Sequence, residues 1–279
     1  MNFFPQIKSV LKNTPLLTIY RTYQRLIRNK EARKYQAENG GGYYCIGCGK
    51  YWKKFEPFPK EWMDILVENG WEHALVKAET LNFEKYSCYG CGMTDRDRLY
   101  AIYLSKIIKQ SGAVSIVEFA PTKALSDFLN SFENVTHRTS DLFMREAADR
   151  LDIQNLYKYK DESFDIFICS HILEHVDDDI KAMRELFRIA KKGGFGIAMV
   201  PIIKGFEKTH EDPSIKDEKL RVKYFGQSDH VRQYAKKDFI ARLESVGFDV
   251  KLLDVTHFGH EVFEKNGISP KSVLYIVNK

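Results

Sequence analysis

Apolar positions along the chain fall into short continuous runs separated by amphipathic stretches, most clearly from residue 114 onward. Residues 114–119 (Val-Ser-Ile-Val-Glu-Phe) read as a buried strand, 123–132 as a helix and 135–139 as a second strand. Residues 164–170 (Phe-Asp-Ile-Phe-Ile-Cys-Ser) carry the strongest strand pattern. The helix predicted over 178–191 turns Ile180, Met183, Leu186, Phe187 and Ala190 inward and stops at Gly193-Gly194. Then come a strand over 195–201, a helix over 236–245 ending at Gly247, and strands over 248–256 and 273–277. Strands alternating with helices predict an α/β fold, a mostly parallel sheet covered on both faces. The polar, aromatic stretch 203–232 follows a core strand, where loops of such sheets often line an active site.

Upstream, Thr94-Asp95-Arg96-Asp97 has the form of a capping box, with an acid three residues beyond the cap. The helix it opens is predicted to turn Leu99, Ile102, Tyr103 and Ile107 inward and to stop at Gly112. Residues 1–38 are basic, with Leu16, Leu17, Ile19, Tyr20, Tyr23, Leu26 and Ile27 at helical spacing. Pro5 and Pro15 divide them into two short helices, and Gly40-Gly41-Gly42 reads as a hinge. The chain thus divides into a basic amphipathic segment (1–38), a cysteine module (39–93) and an α/β domain (94–279).

The composition is that of a globular protein: of 279 residues, 44% are hydrophobic and 29% charged, which excludes disorder and coiled coil for the whole chain. A net charge of +5 is too mild to imply nucleic-acid binding by itself. The sequence holds neither a membrane-length apolar run nor a secretory leader pattern, so a cytoplasmic location is expected. The basic residues of 1–38 have two readings, peripheral contact with an anionic inner-membrane surface or a helix packed on the core with a solvated basic face.

Five cysteines cannot all pair internally. Four of them form Cys45-x-x-Cys48 and Cys88-x-x-Cys91, each followed by glycine. Two such knuckles can supply four thiolates to a tetrahedral zinc, which leaves no open position for catalysis, so a structural zinc-ribbon-like module is expected. The 39 residues between Cys48 and Cys88 exceed the usual spacing and carry Trp52, Trp62 and Trp71. Unrelated thiols or a redox dithiol are the alternatives.

The stretch Ser170-His171-Ile172-Leu173-Glu174-His175-Val176, preceded by Phe164-Asp165, leads to Glu185-Leu186-Phe187-Arg188 and Lys192-Gly193-Gly194. In that order these motifs resemble the fourth-strand region of the Rossmann-like S-adenosylmethionine (SAM)-dependent methyltransferases. The resemblance covers residues 112–279. It also resembles, through Cys91-Gly92 to Arg96-Asp97-Arg98-Leu99 and Phe225-Gly226-Gln227-Ser228-Asp229-His230-Val231-Arg232-Gln233-Tyr234, a subset with an N-terminal Cys-x-x-Cys region associated with glycan biosynthesis. It implies a seven-stranded sheet, SAM as cofactor and a saccharide or lipid-linked glycan as acceptor.

By the same resemblance, SAM contacts are expected from Glu118, Ala120 and Pro121 after the first strand, where Ala120 and Pro121 stand in place of the family's glycines. Asp141 stands at the ribose position, Asp152 and Ile153 at the adenine, and Ser170, His171 and Leu173 at the crevice mouth. O-methylation needs a base for the hydroxyl proton, and histidine has a suitable pKa. His230 is the first candidate, with Asp229 or Glu211 as orienting acid and Arg232 for an acceptor phosphate or carboxylate. Two other functions fit the same motifs. One is an RNA or protein methyltransferase gripping substrate through the zinc module, and the other is a scaffold whose altered first loop has lost the chemistry.

Overall fold

The computed structural model describes residues 30, 32–38, 40–71 and 77–279. The helices expected in residues 1–38, and with them the membrane contact, fall largely on residues 1–29, outside the described residues.

Six strands form the main sheet: β3 (Val114–Phe119), β4 (Val135–Ser140), β5 (Phe164–Ser170), β6 (Ala190–Met199), β9 (Asp249–Leu253) and β10 (Leu274–Asn278). Their order is β4-β3-β5-β6-β10-β9. The first four run parallel, and β10 lies antiparallel to both β6 and β9. The mostly parallel α/β sheet is therefore present, with six strands among the described residues where seven were expected. Residues 141–163 supply no further strand; their only sheet-like contact is a bridge between Ser140 and Asp149. Here aspartates compete with the ladder: Asp141 accepts from the amides of Phe143 and Met144, and Asp152 from that of Gln154, which folds the backbone into turns.

Helix α1 (Lys60–Glu68) lies between the cysteine pairs, and α2 (Asp95–Gln110) precedes the sheet. The capping box is formed as expected, Asp97 N–H donating to Thr94 Oγ1 and Thr94 N–H to Asp97. The buried stripe of α2 is Leu99, Tyr100, Ala101, Leu104 and Ile108, so the inward face is turned from the expected one and Ile102, Tyr103 and Ile107 are half-buried. Helix α3 (Lys123–Leu129) joins β3 to β4, and α4 (Asp179–Ile189) joins β5 to β6. These crossovers leave the sheet centre in opposite directions, so right-handed connections place the two helices on opposite faces. Helix α4 ends at Ile189 because Ala190 turns extended and pairs with Phe164. Gly193-Gly194 thus lies inside β6 and is not the helix stop. The 203–232 stretch holds β7 (His210–Glu211) and α5 (Glu218–Phe225), and β8 (Arg232–Gln233) pairs with β7. Helices α6 (Lys236–Ser245), α7 (Val255–Phe258) and α8 (His260–Lys265) complete the chain.

The cysteine module opens with the antiparallel hairpin of β1 (Tyr43–Cys45) and β2 (Lys50–Trp52). Its Trp52, Phe55, Cys88 and Met93 belong to the same buried cluster as Leu99 and the central strands. Arg98 ties it down further: fully buried, its guanidinium donates to the carbonyls of Lys85, Tyr86, Met93, Asn266 and Gly267. No helix among the described residues is long and apolar enough to cross a membrane.

Candidate active site

Strand order reverses between β3 and β5, and the carboxyl ends of parallel strands open a crevice at such a point. Two residues there hold left-handed backbone without being glycine: Ala120 after β3 at φ +47° and His171 after β5 at φ +56°. Each conformation costs about 1–2 kcal/mol, a strain concentrated where two loops face a common cleft. Ala120 therefore adopts the backbone that a glycine would, with the smallest side chain that is not hydrogen.

A cleft of about 590 Å³ opens at this point and is lined by Ala120, Asp141, Asp152, Ile153 and His171 among the expected cofactor residues. Leu142, Phe143, Val176 and Asp229 complete its apolar walls and rim. Asp141 Oδ1 accepts two backbone N–H groups at 2.6 and 2.5 Å, which fixes the carboxylate and leaves Oδ2 for a ligand hydroxyl. The apolar walls, the fixed carboxylates and the volume fit a nucleoside-sized ligand such as SAM.

The other expected cofactor residues do not line this cleft. Glu118 is buried and accepts from Thr122 N–H at 3.0 Å and the Ser126 hydroxyl at 2.6 Å, closing the start of α3. Pro121 lies beside that cap, outside the lining. Ser170 Oγ is 2.9 Å from the Tyr100 hydroxyl, and Leu173 is fully buried.

A second cavity, about 400 Å³, meets the first at His171 and His175, which line both. Its walls are aromatic: Phe58, Trp62, Trp71 and Tyr86 come from the segment between the cysteine pairs, and Phe225 from α5. Gly226, at φ +89°, ends α5 and leaves room for the Trp71 ring, 3.3 Å from where a Cβ would stand. Arg96 also lines this cavity and makes no hydrogen bond or salt bridge among the described residues.

Three histidines gather around the buried Glu174 at the junction. His171 Nδ1 is 3.2 Å from Glu174 Oε1, and His230 Nε2 is 4.0 Å from it. His175 and His230 meet edge to face at 4.6 Å. His230 Nδ1 lies 2.8 Å from the Phe225 carbonyl, which can only accept, so Nδ1 carries the proton and Nε2 the lone pair. Burial, then the Arg96 charge, pushes the His171 pKa down to about 4. Burial also lowers that of His230. His175 is raised, because Asp229 and Glu174 outweigh the cost of burying its charge. Burial opposes the charge on Glu174, and the three imidazoles outweigh it, so its pKa is lowered.

The remaining candidates take up other tasks. Asp229 orients His175, Oδ2 to Nδ1 3.3 Å, and not His230. Arg232 is almost wholly buried and donates to the carbonyls of Leu173, Val176 and Asp177 and to Glu211. Glu211 is held by Arg232 and Arg242. Arg232 therefore positions the 171–177 turn, with four of its five N–H groups committed there and to Glu211. Glu174, His175 and Arg96 were outside the expected set. The spacing His171-x-x-Glu174-His175 and the first arginine of the Arg96-x-Arg98 pair were the available signals.

At the other end of the module, Cys45 Sγ is 3.6 Å from Cys91 Sγ and Cys48 Sγ 3.8 Å from Cys88 Sγ. All four sulfurs lie within 4.8 Å of one another and none is in a disulfide. A tetrahedron with Zn–S near 2.3 Å has edges of about 3.8 Å, so the set fits zinc. Gly49 and Gly92 turn left-handed at φ +66° and +82° directly after each pair.

A methyltransferase domain model matches residues 129–198, the segment from the end of α3 to β6. No curated protein matches the chain. Among solved structures, a SAM-dependent methyltransferase from Archaeoglobus fulgidus is 14% identical with a TM-score of 0.42, covering 66% of this chain and 94% of that one. YcgJ from Bacillus subtilis is 15% identical at TM-score 0.38, covering 64% and 96%. Phosphoethanolamine N-methyltransferase 2 from Haemonchus contortus, solved with SAM, is 13% identical at TM-score 0.39, covering 61% and 41%. The domain match falls on the strands and loops that carry Asp141, Asp152 and His171, and the chain thus carries a methyltransferase domain over its central strands.

Proposed function

We propose that the chain moves a methyl group from SAM in the 590 Å³ cleft to a saccharide hydroxyl in the 400 Å³ cavity. The observation that carries this reading is that the two cavities meet at His171 and His175. The acceptor oxygen attacks the sulfonium methyl, the C–S bond breaks, and the neutral thioether S-adenosylhomocysteine leaves. The hydroxyl proton goes to a base, and His171 is better placed than His230. It lines both cavities, whereas His230 lines one and turns Nε2 toward Glu174. Aromatic walls suit the apolar faces of sugar rings, and Arg96 suits a phosphate or carboxylate on the same molecule. A glycan precursor, free or lipid-linked, has both features. A cavity of this size favours a small acceptor over RNA or a protein chain.

Calorimetric titration of the full chain with S-adenosylhomocysteine tests the reading. One-site binding is expected, weakened by Asp141→Ala; folded protein that binds none would overturn it. The four cysteines are assigned to one structural zinc, supported by the sulfur spacing. Elemental analysis is expected to give about one zinc per chain, lost in Cys88→Ser; metal-free protein with all thiols titratable would refute it.

A further inference from the structure

Besides the four cysteines, one other cluster among the described residues has ligand atoms within 4.8 Å of one another: Glu174, His175 and His230. It lies at the junction of the two cavities. Neither carboxylate oxygen of Glu174 nor Nε2 of His230 has a hydrogen-bond partner, although Glu174 is 1% and His230 5% exposed. His171 Nδ1 approaches Oε1 at 3.2 Å without the alignment of a hydrogen bond. Buried polar atoms are nearly always satisfied, so three orphans at one point need an explanation. A proton between carboxylate and imidazole would pair two of them, whereas a cation would satisfy all three.

We infer that Glu174, His175 and His230 form a binding site for a divalent first-row transition-metal ion. Two imidazoles and one carboxylate, with no thiolate, make a donor set suited to zinc, cobalt, iron or manganese. The far nitrogen of each imidazole is already held, as metal-bound histidines require. His230 Nδ1 donates to the Phe225 carbonyl at 2.8 Å, and His175 Nδ1 meets Asp229 at 3.3 Å. Each ring therefore presents Nε2. The backbone is fixed too: Val231 N–H donates to the Glu174 carbonyl at 2.9 Å, and Arg232 grips the 171–177 turn. Three protein ligands leave open coordination positions, and His175 borders both cavities, so those positions face a bound ligand. An ion here would polarise an acceptor hydroxyl. That role rests on the transfer reading, whereas metal uptake does not.

The test is titration of the zinc-replete full chain with Co²⁺, followed by visible absorption. One Co²⁺ per chain is expected, with ligand-field bands and without the intense near-ultraviolet charge transfer of thiolate ligands. Glu174→Gln and His230→Ala should each weaken uptake by about tenfold or more, and Asp229→Asn, at an exposed side chain, by less. No uptake by the wild-type chain would overturn the site, whether or not the variants fold. Uptake that carries thiolate bands, or that survives both ligand substitutions unchanged, would also overturn it. Retained Co²⁺ uptake without S-adenosylhomocysteine binding would overturn the transfer reading and leave the metal site standing.

Discussion

Replacing Arg98 with methionine should unfold the chain far more readily than the same change at Arg96, two residues away. Arg98 is fully buried, with its guanidinium 4.0 Å over the Phe55 ring. It donates to Lys85 O at 2.6 Å, Asn266 O at 2.7 Å, Met93 O at 2.8 Å, Gly267 O at 3.2 Å and Tyr86 O at 3.4 Å. Tyr86, Met93 and Gly267 each accept a second N–H, from Asp95, Cys88 and Asn82. The Lys85 and Asn266 carbonyls depend on Arg98. Methionine keeps much of the stem's packing and strips all five bonds. Two stranded carbonyls cost about 1–3 kcal/mol each, and three weakened ones add to that, while the desolvation of the guanidinium is recovered. The expected loss is about 4 kcal/mol. Urea unfolding followed by tryptophan emission would measure it, with Arg96→Met as the matched control. Arg96 makes no hydrogen bond among the described residues, so its loss should stay within about 1 kcal/mol. Three of the five carbonyls flank the second cysteine pair, so Arg98→Met should also release bound zinc faster. A loss below about 1 kcal/mol at Arg98, or equal losses at both arginines, would refute the assignment of Arg98 as the tie between the cysteine module and the C-terminal helices.

Two further outcomes follow, one from a buried carboxyl and one from a strained backbone position. Burial pushes the Asp95 carboxyl up to about 6. Between about pH 4 and pH 6 the folded chain keeps a proton there that the unfolded chain has released, so rising pH costs roughly 3 kcal/mol. Asp95→Asn should remove that slope, and parallel stability curves from pH 4 to 7 would contradict it. Ala120→Val places a β-branched side chain at φ +47°, which should cost about 1–2 kcal/mol in chemical denaturation. The same variant should weaken S-adenosylhomocysteine binding in calorimetry, and unchanged stability and affinity would argue against the left-handed loop.

Strands 114–119 and 164–170 and the helix over 236–245 are legible to the residue, because each is a continuous pattern bounded by its own breakers. The capping box is legible for the same reason: its partners are three residues apart. The inward face of α4 is legible too, Met183, Leu186 and Ala190 being buried with Ile180 and Phe187 packed on the core, whereas that of α2 is not, since several apolar stripes on it are compatible with the pattern and the neighbouring elements choose among them. Each of the six strands of the sheet is located by an apolar run, and the seventh is implied by the family resemblance alone; in 141–163 aspartates hold nearby amides in turns.

The candidate site divides along the same line. Residue type pointed to histidines, acids and arginines in the right segments, but each role depends on which of its polar atoms is already engaged. Arg232 looks like an anion binder in sequence. In the fold four of its five N–H groups are taken by carbonyls 55–59 residues away and by Glu211. Arg96, read from sequence as part of a helix cap and of a motif but given no role at the site, is the arginine left facing a cavity. His230 looks like a base, yet its Nδ1 is committed to Phe225 and its Nε2 faces a carboxylate. A base facing substrate would leave Glu174 and Nε2 of His230 satisfied by something else on that side. Their common lack of a partner is what distinguishes a ligand set from a proton relay, and it arises only when the turn after β5 and the loop before β8 are brought together.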